Sequence, residues 1–130
     1  MSDHQALVLK LSARKELDWD KRIDPLNREA NGWKEGMSLQ DVYDTNRGIW
    51  RIAAEKLAPC EYVLFCAYGQ VRLIIKRTGH EIVRHPLTNI RHRVLEGDIV
   101  TEGDIHTKWF GADTPVFSTN ARLFHGFISL

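Results

Sequence analysis

Arg47, Arg51, Arg72, Lys76, Arg77, Arg91 and Arg93 interleave with Trp50, Tyr62, Tyr68 and, later in the chain, Trp109. Cationic side chains neutralise phosphate and flat rings stack on bases, so this mixture contains the parts of a nucleic-acid platform. The charge is locally concentrated. Residues 70–93 hold six basic side chains, Arg84 among them, against Glu81 alone, a local +5 in a chain of net charge +1. Such a field attracts phosphate, and a solvated strand face has the same composition. Trp50 and Trp109 are accordingly either stacking surfaces or core.

Other chemistries fit less well. His80-Glu81-Ile82-Val83-Arg84-His85 superficially resembles a zinc-protease helix, but its histidines are five apart rather than four and leave one helical face. Pro86 and the β-branched Ile82-Val83 also argue against a helix there. For His80, His85, His92 and His106, solvation or local bonding is the preferred reading over metal ligation. Ser118, Thr119 and Cys60 are nucleophiles in type only, since no Gly-x-Ser-x-Gly elbow is present. Glu96/Asp98 and Glu102/Asp104 lie beside glycines, where acids are common for backbone reasons. No phosphate-cradling glycine loop occurs. No cofactor or metal is implied, and nothing demands an enzyme.

The chain has two cysteines, Cys60 and Cys66, the latter inside an apolar run where a small buried thiol is expected. No disulfide framework or Cys-x-x-Cys pair is present. The first residues do not read as a signal peptide, and no stretch approaches the roughly 20 apolar residues that span a bilayer. A cytoplasmic protein with no membrane partner is expected, its oligomeric state open. With 130 residues, 43% hydrophobic and 27% charged, the chain reads as one domain, 1–130, able to bury a core without staples.

The elements that must position these residues centre on 44–75. A helix is expected from an N-cap at Ser38 with Asp41 at its third position, through Leu39, Val42 and Tyr43, to a stop at Asn46-Arg47-Gly48. A short strand is expected over 49–52, with Trp50 and Ile52 on one side, and a helical turn or two over 53–58 before Pro59. The apolar run 61–68, then Gly69, then 70–77 reads as a tight antiparallel hairpin. In its second strand Val71, Leu73 and Ile75 alternate with Arg72, Ile74 and Lys76, which predicts one apolar face and one mixed, basic face.

Residues 5–11 read as an opening strand, and 13–36 as a long, partly helical excursion in which Trp19 and Trp33 are either plugs or exposed contacts. Thr78-Gly79-His80-Glu81 reads as a turn, with Ile82-Val83 starting another edge and 89–95 alternating weakly. Gly97-Asp98-Ile99 and Gly103-Asp104-Ile105 read as two turns flanking a short strand. Pro115-Val116-Phe117 and 122–130 supply the last apolar runs. Seven or so short strands with one or two helices imply an α+β domain, mostly β, in the form of a small barrel with helical insertions and a long N-terminal excursion.

The order of an opening strand, a helix, Arg47-Gly48-Ile49-Trp50, the hairpin 61–72 and a late Lys108-Trp109-Phe110-Gly111 resembles the PUA-like β-barrels, the group that includes ASCH, EVE and YTH domains. More narrowly, 45–71 with 108–111 resembles uncharacterised bacterial and phage members of that group. The resemblance implies a pseudobarrel that binds RNA or DNA, in some relatives by holding a modified or flipped base in an aromatic pocket. Asn46, Arg47, Trp50 and Trp109 have the chemistry such a pocket needs, with Tyr43 or Phe110 as a third aromatic. The Lys-Thr-Glu arrangement of hydrolytic ASCH relatives does not map onto this chain.

The leading expectation is therefore a nucleic-acid-binding module, with Arg72 and Lys76 toward phosphate, Arg47, Trp50 and Trp109 lining the pocket, and Asn46, Arg91 and Arg93 also among the binding residues. DNA and RNA are not distinguished. Two alternatives stand beside it. One is a small hydrolase of modified nucleosides using Glu61 or Glu96 with a nearby Lys or Thr. The other is a protein-interaction accessory factor anchored by Trp19 and Trp33.

Overall fold

The computed structural model describes residues 4–16, 30–48, 50, 52–84, 91–115 and 125–130. Trp19, Ser118, Thr119 and the apolar stretch around Phe117 lie outside them. The chain builds β1 (Gln5–Lys10), β2 (Lys15–Glu16), β3 (Ala30–Asn31), α1 (Leu39–Asn46), α2 (Ala54–Leu57), β4 (Cys60–Ala67), β5 (Gln70–Arg84), β6 (Arg91–Ile99), α3 (Asp104–Trp109) and β7 (His125–Ser129). Five of the strands form one open mixed sheet in the order β6-β5-β4-β1-β7, while β2 and β3 pair separately. The mostly-β, α+β architecture expected from the sequence is present at this level.

Continuous apolar runs explain the centre of that sheet. Ala6 to Leu9 in β1 and Val63 to Cys66 in β4 are buried at every position, as expected of strands covered on both faces. The two pair in parallel, Leu7 opposite Val63 and Leu9 opposite Phe65. On the first face Leu7, Leu9, Val63, Phe65, Leu73 and Ile75 pack with Val42 of α1 and Leu57 of α2. On the second, Ala6, Val8, Leu64, Cys66, Val71 and Ile74 pack with Ile105 and Trp109 of α3.

The β4–β5 hairpin turns on Tyr68-Gly69, with φ of 49° and 77°, the paired positive values of a type I′ turn that matches strand twist. Its second strand departs from simple alternation. A register shift at Phe65/Cys66 sets Val71 opposite Cys66 and Leu73 opposite Phe65, leaving Arg72 as the extra residue. Val71 therefore joins Ile74 on the second face, and the face expected to be mixed and basic is a second core.

Three other expectations are corrected. Residues 78–81 make no turn: β5 runs through them to Arg84, absorbing Thr78 in a second register shift against β6. Gly97-Asp98-Ile99 lies within β6 and Gly103 precedes α3, so neither glycine makes the expected paired turns. A Cβ at Gly97 would collide with the Lys76 carbonyl, which is why a glycine sits where the bulged strand crowds its partner. Within 49–52, Trp50 makes an isolated bridge to Arg93 rather than belonging to a strand.

The local chemistry of α1 follows its sequence: Ser38 Oγ accepts the Asp41 amide at 3.1 Å, satisfying an otherwise unpaired helix donor. α2 follows an Ala53 cap and is two residues short of Pro59. The far end of the excursion is stitched down. Trp33 donates to Ser12 O and accepts from Arg14 N, both at 2.9 Å, and its ring packs against the first-face core. Trp33 is a plug.

Candidate nucleic-acid interface

Four of the expected site residues meet at one corner, where the end of α1 reaches the middle of β6. Asn46 is 3% exposed. Its Nδ2 donates to Gly32 O at 2.9 Å and Val42 O at 3.1 Å, and its Oδ1 accepts from Gly32 N at 2.9 Å. The side chain thus clamps the excursion onto α1. Arg47 caps that helix with its guanidinium 5.7 Å from the Tyr43 ring centroid, and its carbonyl accepts from Leu95 N at 2.7 Å. Trp50 exchanges both backbone hydrogen bonds with Arg93 and donates Nε1–H to Asn46 O at 2.8 Å. Arg93 Nε donates to Ile52 O at 2.6 Å.

This corner opens into a small pocket. Trp50, Ile52, Ile82, His92 and Arg93 enclose about 130 Å³, room for one planar ring system. Trp50 is half-buried, one edge fixed by its Nε1 bond, and Ile82 across from it is 46% exposed. The pocket therefore sets an exposed isoleucine and a half-buried tryptophan beside the polar side chains of His92 and Arg93. Beyond the pocket β5 and β6 continue as a ribbon in which Ile82 faces Arg93, Val83 faces His92 and Arg84 faces Arg91.

Comparison with family models, with curated proteins and with solved structures finds no match to this chain. The function therefore rests on the geometry.

The remaining expected residues are elsewhere. Arg72 lies at the opposite end of β5, its Nε donating to Ala67 O at 3.1 Å. Lys76 is exposed on the second face, opposite Asp98. Trp109 packs on the second face beside its helix neighbour Ile105, with Lys108 Nζ 5.2 Å from its ring centroid. Trp50 and Trp109 are therefore separated by the sheet and form no common pocket. Arg77, counted in the basic stretch, is bonded to the carbonyls of Cys60, Leu57 and Ala58 at 2.9–3.2 Å and closes the end of α2. Ile82 and His92 enter the pocket only because the ribbon continues past 78–81. Nothing in their sequence context marks them.

Titratable groups collect in a different cleft. About 520 Å³ beside the start of α3 is lined by His4, Tyr62, Lys76, Glu102 and Asp104. His4 Nδ1 lies 2.8 Å from Glu61 Oε2, with the two side chains 41% and 50% exposed. Among the described residues no three His, Cys, Asp or Glu side chains are grouped to hold a metal. The thiols are quiet as well. Burial pushes Cys66 up to about 11, and it raises Cys60 despite the nearby Arg77 guanidinium, so neither supplies a thiolate near neutral pH. No helix among the described residues is long and apolar enough to cross a membrane.

Proposed function

We propose that this chain is a nucleic-acid-binding module of PUA-like type, its sheet closing toward a pseudobarrel, that seats one unstacked base against Trp50. The observation that carries this reading is the pocket of Trp50, Ile82 and Arg93 at the root of a ribbon on which Arg84 stands opposite Arg91. An aromatic wall with apolar and guanidinium neighbours suits a flat, hydrogen-bonding heterocycle. The ribbon beyond it would carry the backbone phosphates.

Fluorescence anisotropy with labelled single- and double-stranded DNA and RNA, each at low and high salt, tests the proposal. Ile82→Glu and Arg91→Ala are the informative variants, because Trp50 and Arg93 also hold the fold. Affinity should fall with salt, Arg91→Ala should lower the magnitude of the logarithmic salt slope by about 0.7–0.9, and Ile82→Glu should weaken binding without lowering the thermal midpoint. Binding that is flat with salt, or absent for all four ligands, would overturn the reading.

A further inference from the structure

At the other end of β5 a third cleft, about 470 Å³, is lined by Trp33, Lys34, Glu35, Tyr68 and Arg72. Its walls are stacked. Arg72 Cζ sits 4.2 Å from the Trp33 ring centroid, and the Tyr68 ring meets Trp33 edge-on at 5.5 Å and 66°. Only Nε of Arg72 is used, on Ala67 O; among the described residues its terminal nitrogens make no hydrogen bond. The bulge in β5 is what turns this guanidinium onto the indole.

Tyr68 is the unusual member. It is 67% exposed and has a φ of +49°, a conformation that bulky L-residues avoid and that type I′ turns normally give to Asn, Asp or Gly. Burial does not offset that strain. The turn is nonetheless firmly braced: Thr114 N donates to Gly69 O at 2.8 Å, Val71 N to Ala112 O at 2.8 Å, and Gly111 N to Val71 O at 2.9 Å. The fold thus holds an exposed aromatic ring rigidly in a costly backbone state, where a polar residue would suit the turn better.

We infer that Tyr68, Trp33 and Arg72 form a second stacking subsite for single-stranded nucleic acid. Tyr68 offers its ring to a base, and Arg72 with Lys34 faces a phosphate, Glu35 limiting the net charge of the cleft. The inference rests on the nucleic-acid reading above and extends it. Trp33 and Trp50 both pack against the first-face core. The ten residue steps along β5 from Arg72 to Ile82 separate the two subsites by roughly 30 Å. A strand long enough to span that distance engages both, whereas a short one fills the Trp50 pocket alone.

Affinities of oligothymidylates and oligouridylates from about 4 to 16 nucleotides, the range of known single-strand sites, test this with Tyr68→Asn, Tyr68→Leu and Tyr68→Phe. Tyr68→Asn suits the turn and should keep or raise the thermal midpoint. It should lose the length-dependent gain, weakening the longest ligands about tenfold while leaving the shortest unchanged. Tyr68→Leu should behave like Tyr68→Asn in binding, and Tyr68→Phe like the wild type. If the wild type binds and Tyr68→Asn binds equally at every length, the second subsite is overturned and the Trp50 pocket stands. If the wild type binds no oligonucleotide, both readings fall.

Discussion

The two faces of the sheet are sealed by different physics. On the first, polar side chains end on backbone carbonyls of other segments: Asn46 on Gly32, Trp50 on Asn46, Arg77 on three carbonyls around the end of α2, Arg93 on Ile52. On the second, packing carries the seal. Trp109 Nε1 is buried without a partner among the described residues, and Cys66 Sγ lies 3.9 Å from Leu64 O. Directional bonds fix how elements meet, while dispersion and burial fix only that they meet. The first face is the one whose elements are fixed by directional bonds, and both proposed subsites lie on its side.

Matched truncations put this contrast at risk. Leu73 and Leu64 are both fully buried, on the first and second face respectively. A bonded scaffold relaxes less around a cavity, so urea unfolding should show Leu73→Ala costing about 4–5 kcal/mol and Leu64→Ala nearer 3 kcal/mol. The reverse order would break the comparison. Asn46→Ala should cost about 2–3 kcal/mol by leaving the Gly32 amide and carbonyl unpaired in a buried place. Any loss of ligand binding in that variant should track its unfolded fraction, and an equal loss in the fully folded protein would return Asn46 to direct recognition.

The smallest effect concerns pH and the second face. The Cys66 thiol is raised from 9.0 to about 11 in the folded protein by burial. The folded state therefore keeps its proton where the unfolded chain has lost it. The stability tied to this group is complete below about pH 9 and drains as pH climbs through 11, by about 2 kcal/mol. Subtracting the unfolding profile of Cys66→Ala from that of the wild type isolates the contribution. A flat difference between pH 9 and 11 would mean that solvent reaches the thiol.

Much of this architecture was legible in the chain because it follows from local rules. The N-cap at Ser38, the glycine in the hairpin turn, and the unbroken apolar runs of β1 and β4 each have a short-range cause. What was not legible are the places where one residue too many enters a strand. Arg72 and the Arg77/Gly79 shift each reset the alternation, and a period-of-two reading has no way to register an insertion whose cause is the partner strand. The candidate site divides in the same way. Asn46, Arg47 and Trp50 are neighbours because a helix end places them together. Arg93 joins them only across β6, and Trp109 was grouped with Trp50 by chemistry although the sheet lies between them. Arginine is the hardest type to assign from sequence, since the same fork of donors that grips phosphate also caps a helix, as Arg77 does.

Strand β1 has a consequence for synthesis. Leu7 takes its neighbours from Val63 on one side and Phe127 on the other, both far downstream. As the polypeptide leaves the ribosome, the Ala-Leu-Val-Leu segment must wait for β4, and then longer for β7, with a row of unpaired amides and apolar side chains open to other chains. The β4–β5 hairpin, closed by two residues, forms early and supplies the template onto which β1 docks. Holdase chaperones that shield nascent chains would find a target in β1.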